Sequence, residues 1–442
     1  MRLRLITPKT KAERKREAMA RRTSKTLAGV SALVLVLAAC GRGDDPAGGQ
    51  AGTDVAQGPA TGTITVWAMG AEGEKLPALA EEFEKANPGV DVQVTAIPWD
   101  AAHNKFTSAI AAGQVPDAAM VGSTWMGEFA GMGALDPTPS SIDKGSFFDG
   151  AQRTTEVDGT SYGIPWYVET RLLYYRKDLA KTAGYETPPK DWPGLKEMAK
   201  AMQAKAGAKW GIGLQPGGTG SWQSLLPFAW SNGASLTKDG GGAYNFDSPE
   251  MREALEYYGS FFAEGIADKE APAQPTTEPD FASGRVPMFI SGPWMMSAVE
   301  KVGGEGFKDK YDVMPMPTKK TSSSFVGGSD FVVFKETKNR DSAWKFVQWL
   351  ANPQTQVKWY QRSTDLPSVK SAWQDPALTA DTKLATFGRQ LDTAQSPPTF
   401  ATWEQAITAL DTEVEKVARS GADAAGALKA AQSAADSIGT GK

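Results

Sequence analysis

From Thr63 onward the hydrophobic positions fall into short blocks of changing period. Thr63-Ile64-Thr65-Val66-Trp67 is an apolar run of strand length, followed by Leu76, Leu79, Ala80 and Phe83 at helical spacing and a stop at Pro88-Gly89. Val90, Val92, Val94 and Ala96 then alternate as a strand does. A second helical stretch with Phe106, Ala109 and Ile110 ends at Gly113, and residues 117–121 read as the next strand. Strand, helix and strand in succession form the unit of a parallel sheet, so the pattern predicts an α/β fold. Farther on, Ala343, Phe346, Val347 and Leu350 make a helical stripe stopped by Asn352-Pro353, and Ile407, Leu410, Val414 and Val417 make another. The Ala- and Ser-rich C-terminal stretch is predicted helical, then frayed. No internal repeat is visible.

The N-terminal pattern is different. Residues 1–25 carry ten Lys or Arg, and an apolar run from Leu27 to Ala39 leads into Leu37-Ala38-Ala39-Cys40. A basic start, a short apolar segment and small residues at a cut describe a secretory signal over residues 1–39. The run is short for a membrane-spanning helix. Leu-Ala-Ala-Cys resembles the bacterial lipobox, which implies lipid on Cys40; the alternative is an uncleaved anchor or a fortuitous cysteine. Met19 is a second possible start, and Arg21-Arg22 is a faint twin-arginine signal against ordinary Sec export. Residues 41–62 are rich in Gly, Ala, Pro, Asp and Gln and are predicted to be a flexible tether.

Composition narrows the chemistry. The chain has 442 residues and a formal net charge of −4 with no basic stripe, which removes the electrostatic basis for nucleic-acid binding. One cysteine excludes an internal disulfide framework, and one histidine removes most zinc geometries. No cofactor or metal is expected. There is no Gly-x-Ser-x-Gly elbow and no Walker A loop, and Gly217-Gly218-Thr219-Gly220 reads as a surface loop rather than a phosphate cradle. Carboxylates are abundant, so a carbohydrate-active hydrolase using a carboxylate pair is the enzymatic alternative. Trp (14), Phe (18) and Tyr (10) are plentiful enough to serve cores, interfaces and sugar rings alike.

Three stretches carry a resemblance. They are Tyr162-Gly-Ile-Pro-Trp-Tyr-Val-Glu-Thr-Arg-Leu-Leu-Tyr-Tyr-Arg-Lys-Asp178, Pro287-Met-Phe-Ile-Ser-Gly-Pro-Trp294, and Phe325-Val-Gly-Gly-Ser-Asp-Phe-Val-Val-Phe334, the last followed by the helix at 345–349 and Asn352-Pro353-Gln354. In this order and spacing the chain resembles the family 1 extracellular solute-binding proteins, the maltose-binding-protein-like receptors of ABC sugar importers. The resemblance implies a two-lobed α/β periplasmic-binding-protein fold of type II. Its N-terminal lobe would be residues 63–168 plus 326–364, and its C-terminal lobe 169–325 plus 365–442. Hinge crossings are expected near 166–172, 326–330 and 364–367, with sugar in the cleft and hinged closure around it. It also implies an ABC permease as partner, a monomer, and no catalysis.

A sugar offers an apolar C–H face to aromatic rings and a hydroxyl rim to carboxylates and amides. By the resemblance, Trp294 of Gly-Pro-Trp falls on a stacking tryptophan, and Glu169 falls on a hinge-strand glutamate that contacts sugar. The alternative for Glu169 is a hinge salt bridge, perhaps with Arg171. Trp166 is the expected aromatic at the cleft, with core packing as the alternative. Trp125 follows a strand end, where open parallel sheets place ligands. His103, Asp330, Glu72, Trp222 and Trp403 complete the expected set. Glu72 could equally be a first-turn acid favoured by its helix dipole. The Trp-rich set favours a di- or oligosaccharide.

Overall fold

The computed structural model describes residues 54–270 and 276–441. The signal segment, Cys40 and most of the expected tether lie outside these residues. The first strand, β1 (Thr61–Met69), starts two residues before Thr63, inside the stretch expected to be tether. Thr61 and Gly62 pair with Gly89 and Val90. Ala60 is buried with its N–H donating to Asn87 Oδ1 at 3.0 Å, and Val55 packs on the core. Small residues let the chain lie flat here while its backbone polar groups find partners.

The chain continues through α1 (Gly70–Ala86), β2 (Gly89–Ile97), α2 (Trp99–Ala112), β3 (Ala118–Gly122) and the short α3 (Met126–Gly131). Leu76, Leu79, Ala80 and Phe83 are the buried face of α1, as their spacing requires. Gly113 ends α2 in the left-handed conformation, at φ 63°. Then come β4 (Ile164–Thr170) and β5 (Leu172–Arg176), the helices α4 (Trp192–Ala206), α5 (Trp222–Ser231) and α6 (Pro249–Ala263), then β6 (Met288–Ser291), α7 (Trp294–Gly303) and β7 (Tyr311–Met314). The rest is β8 (Val326–Val333), α8 (Arg340–Leu350), α9 (Pro353–Ser363), β9 (Leu366–Pro367), α10 (Thr382–Leu391), α11 (Trp403–Ser420) and α12 (Ala424–Ile438). Helix starts follow local chemistry: Asp191, Ser248 and Asn352 each accept a first-turn N–H, and proline stands in the first turn behind each.

Two sheets organise these elements. The larger has the order β9-β4-β8-β3-β1-β2, and the smaller β6-β5-β7. β1 runs parallel to β2 and β3, whereas β8 is antiparallel to both β3 and β4. Leaving the larger sheet at Thr170, the chain enters the smaller one at Leu172, so a single residue, Arg171, joins them. One core gathers Phe106, Phe129, Trp166, Phe331, Trp344 and Phe346 around the larger sheet. A second gathers Trp192, Trp230, Tyr258, Trp403 and Leu410 among α4, α5, α6, α11 and α12. A third spans the junction, with Val168, Leu172, Tyr174, Phe289, Val326 and Phe387. Among the described residues no helix is long and apolar enough to cross a membrane.

Candidate functional site

Between the edge of the larger sheet and the α5–α11 layer lies a cleft of about 370 Å3. Its first wall comes from the C-terminal end of β3 and the start of α2: Ser123, Thr124, Trp125 and Trp99. This is the end of an open α/β sheet where ligand sites form. Its floor comes from the hinge strands, with Tyr167 and Glu169 of β4 and Gly327 and Gly328 of β8. A Cβ on Gly328 would stand 2.1 Å from the Tyr167 carbonyl oxygen and its φ is 125°, so only glycine lets β8 close onto β4 here. The second wall is Trp222, Gln223 and the 219–220 turn with one face of α11: Glu404, Ile407, Thr408 and Asp411. Those four positions follow helical spacing.

The wall polar groups differ in how they are satisfied. Glu169 Oε2 accepts from Arg171 at 2.8 Å. Asp411 accepts from Gly220 N–H (2.7 Å), Ser221 Oγ (2.7 Å) and Trp222 N–H (2.8 Å), which pins the start of α5 to α11. Burial pushes the Asp411 carboxyl above the usual carboxylate range, and those three donors pull it back. Burial also raises Glu404, opposed by the Thr124 hydroxyl on the facing wall and by His103. Among the described residues no group of His, Cys, Asp and Glu could hold a metal ion.

Trp125, Trp222 and Glu169 line the cleft. Trp294 starts α7 at 44% exposure, with the Arg171 guanidinium 4.7 Å from its ring centroid. Trp166 does not reach the cleft: it is 1% exposed and packs on Trp359 and Phe331. Side chains alternate along β4, so Tyr167 and Glu169 take the cleft face and Trp166 takes the core. Trp403 is likewise core, 1% exposed, because it lies off the face of α11 that carries Glu404 and Thr408. Asp330 is buried against the Thr154 hydroxyl, which is 3.0 Å from both carboxylate oxygens. A register shift between Ser329 and Asp330 takes it off the cleft face. Burial pushes its carboxyl well above the usual range.

His103 and Glu72 stand behind the first wall rather than on it. The His103 ring meets Trp125 edge-on at 5.2 Å, and its Nε2 is 2.8 Å from Glu128 Oε2. Glu72 Oε2 accepts from Trp99 Nε1 at 3.4 Å. Sequence reasoning missed Trp99, Tyr167, Gln223, Glu404, Thr408 and Asp411. Glu404, Thr408 and Asp411 share one face of an amphipathic helix that carries many other polar residues, so the sequence offered no distinguishing signal for the last three.

Comparison with known proteins agrees with this architecture. The family model for bacterial extracellular solute-binding proteins matches residues 67–357. The diacetylchitobiose binding protein DasA of Streptomyces coelicolor is 30% identical over 329 residues, covering 72% of this chain and 76% of that protein. The maltotriose-binding protein of Pyrococcus abyssi is 28% identical over 379 residues, covering 79% and 77%. The structure of the sugar-binding protein MalE from Xanthomonas citri superposes with a TM-score of 0.81 at 33% identity, covering 85% of this chain and 97% of that one. With most of the body matched and a two-domain architecture shared with MalE, the chain belongs to the bacterial extracellular solute-binding protein family.

Proposed function

We propose that the cleft captures a carbohydrate of two or more rings and that the protein delivers it to an ABC importer. The observation that carries this reading is the placing of the Trp99 and Trp125 rings beside carboxylates and hydroxyls of the same cleft, with the exposed Trp294 ring linked to Glu169 through Arg171. Rings take the C–H face of a pyranose, and Glu169, Glu404, Gln223 and Thr408 take its hydroxyls. An unmatched hydroxyl would leave buried polar groups unpaired, which supplies selectivity. The ligands named for the relatives, diacetylchitobiose and maltotriose, support the same class. Family and relatives are binding proteins, so the carboxylate-pair hydrolase is set aside.

In this reading the domains turn about Arg171, the return segment before β8 and the crossing at 364–367, and sugar favours the closed arrangement by binding it better than the open one. The N-terminal segment directs export, and lipid on Cys40 holds the body at the outer face of the cytoplasmic membrane. The test is a thermal-shift and calorimetry screen with maltose, maltotriose and N,N′-diacetylchitobiose. A sugar at one hundred times its Kd adds about 2.7 kcal/mol of apparent stability. A raised midpoint with the sugar recovered intact supports capture. A flat response to every oligosaccharide, or consumption of the sugar, sinks the reading. For the anchor, Cys40→Ala should release the protein from the membrane fraction.

A further inference from the structure

Arg171 is the only residue between the last strand position of one sheet and the first of the other. Its carbonyl accepts from the Ser324 hydroxyl at 2.8 Å, which fixes the main chain at the joint. Its side chain is largely buried. The guanidinium donates through Nη1 to Glu169 Oε2 at 2.8 Å and through Nη2 to Gln223 Oε1 at 2.5 Å. It also lies 4.7 Å from the Trp294 ring centroid and 5.7 Å from that of Phe325. These four partners come from β4, α5, the start of α7 and the segment before β8. Three of them line the cleft, and the fourth is the most exposed tryptophan named above.

We propose that Arg171 is the positioning residue of the cleft: one guanidinium sets the orientation of the Glu169 carboxylate, the Gln223 amide and the Trp294 ring together. This rests on the reading of the cleft as a carbohydrate site. The Glu169 side chain alone has free torsions. With Oε2 held by Arg171, the other oxygen is directed at Gly327, where a Cβ would stand 2.9 Å from it. That leaves Oε1 for a sugar hydroxyl. Covering one face of Trp294 with a cation leaves the opposite face for stacking and holds the ring upright. Only arginine does both, because its planar fork can donate in two directions while it stacks; a lysine ammonium is a point charge on a flexible stem. Because Arg171 is also the joint between the sheets, it ties groups from both sides of the cleft to the point about which they turn.

The test uses the mature protein carrying 5-fluorotryptophan, with the Trp294 fluorine resonance assigned from Trp294→Phe. Arg171→Lys and Arg171→Met are compared with wild type, first without ligand and then with maltotriose and N,N′-diacetylchitobiose as probes. The expected result is a displaced Trp294 resonance in both variants while that of the core Trp230 stays in place. Affinity for the probe that wild type binds should fall at least about tenfold, the loss of one hydrogen bond to a charged group. Arg171→Met should also be non-additive with Glu169→Gln and with Trp294→Phe, which a merely structural role would not produce. An unmoved Trp294 resonance with wild-type affinity in Arg171→Lys overturns the proposal. Should Arg171→Met fail to fold, Arg171→Lys, which keeps the charge and most of the stem, decides. If wild type binds neither probe, the carbohydrate reading loses its support, and the ligand-free resonances still decide for or against Arg171.

Discussion

On the first wall of the cleft, Trp99 stands 39% exposed and meets Trp125 edge-on at 6.1 Å, with His103 and Phe129 behind it. On the second wall, Trp222 is 5% exposed, locked edge-on between Phe325 at 5.0 Å and Trp403 at 5.6 Å. The first wall leaves ring faces unpacked, at a cost in exposed apolar surface that only a ligand offsets. The second wall spends its rings on its own core and offers polar groups from α11 instead, and the exposed Trp294 stands outside the cleft lining, against Arg171. Trp content therefore says little about binding; the informative quantity is apolar surface that the fold leaves uncovered.

Removing one ring from each class separates the two uses. Trp403→Ala empties a filled core position and takes the edge partner from Trp222. It should cost about 3–5 kcal/mol of stability in urea denaturation. Equal stability of that variant and wild type would show that the second wall is not built as described. Asp365 adds a pH-dependent difference between the walls. It is half-buried behind the first-wall side, where it accepts from Trp359 Nε1 at 3.0 Å. Burial, then the nearby Glu72 charge, raises its carboxyl to about 7. Because the folded protein holds this proton more tightly than the unfolded chain, the stabilisation is full below about pH 4 and is lost as pH rises through about 7. At about 1.4 kcal/mol per pH unit, the slope amounts to at most about 4 kcal/mol over that window. Asp365→Asn should flatten it in melts run from pH 4 to pH 8, and an unchanged slope would assign it elsewhere. Trp294→Ala gives the complement to Trp403→Ala: stability within about 1 kcal/mol of wild type, and a probe-sugar affinity about 30-fold weaker by calorimetry, close to 2 kcal/mol.

Much of the first domain was legible because each period has one physical meaning. The strand-length run at 63–67 and the 76/79/80/83 stripe became β1 and the buried face of α1 without adjustment beyond the early start at Thr61. The site was harder to read. In β4 the choice between Trp166 and Tyr167 is a choice between the core face and the half-buried cleft face, each offering an aromatic, and nothing local decides it. Asp330 left the cleft face through a register shift that depends on pairing with a strand about 160 residues earlier in the chain. Trp99 was passed over because an aromatic just behind Pro98 at a helix start has no pattern to belong to; its role comes from Trp125, brought beside it by the parallel pairing of β1 with β3.

The smallest expected effect concerns the residue that joins the walls. Glu404 belongs to α11 of the second wall, yet its carboxylate is influenced by Thr124 and His103 of the first. Among the described residues it has, unlike Glu169, no ion pair with arginine and, unlike Asp411, no wrapping of backbone N–H groups. Held by Thr124 from the facing wall, it keeps further acceptor capacity for a ligand gripped from both sides. Glu404→Gln keeps the shape and one acceptor oxygen while removing the charge, so a hydroxyl donated to that carboxylate should lose about tenfold in affinity, about 1.4 kcal/mol. Burial raises the carboxyl, so affinity carried by its ionised form should weaken as pH is lowered through the upper carboxylate range, and this dependence should vanish in the glutamine variant. A glutamine variant that binds as tightly as wild type at every pH would show that the walls recognise sugar separately, with Glu404 serving only to bring them together.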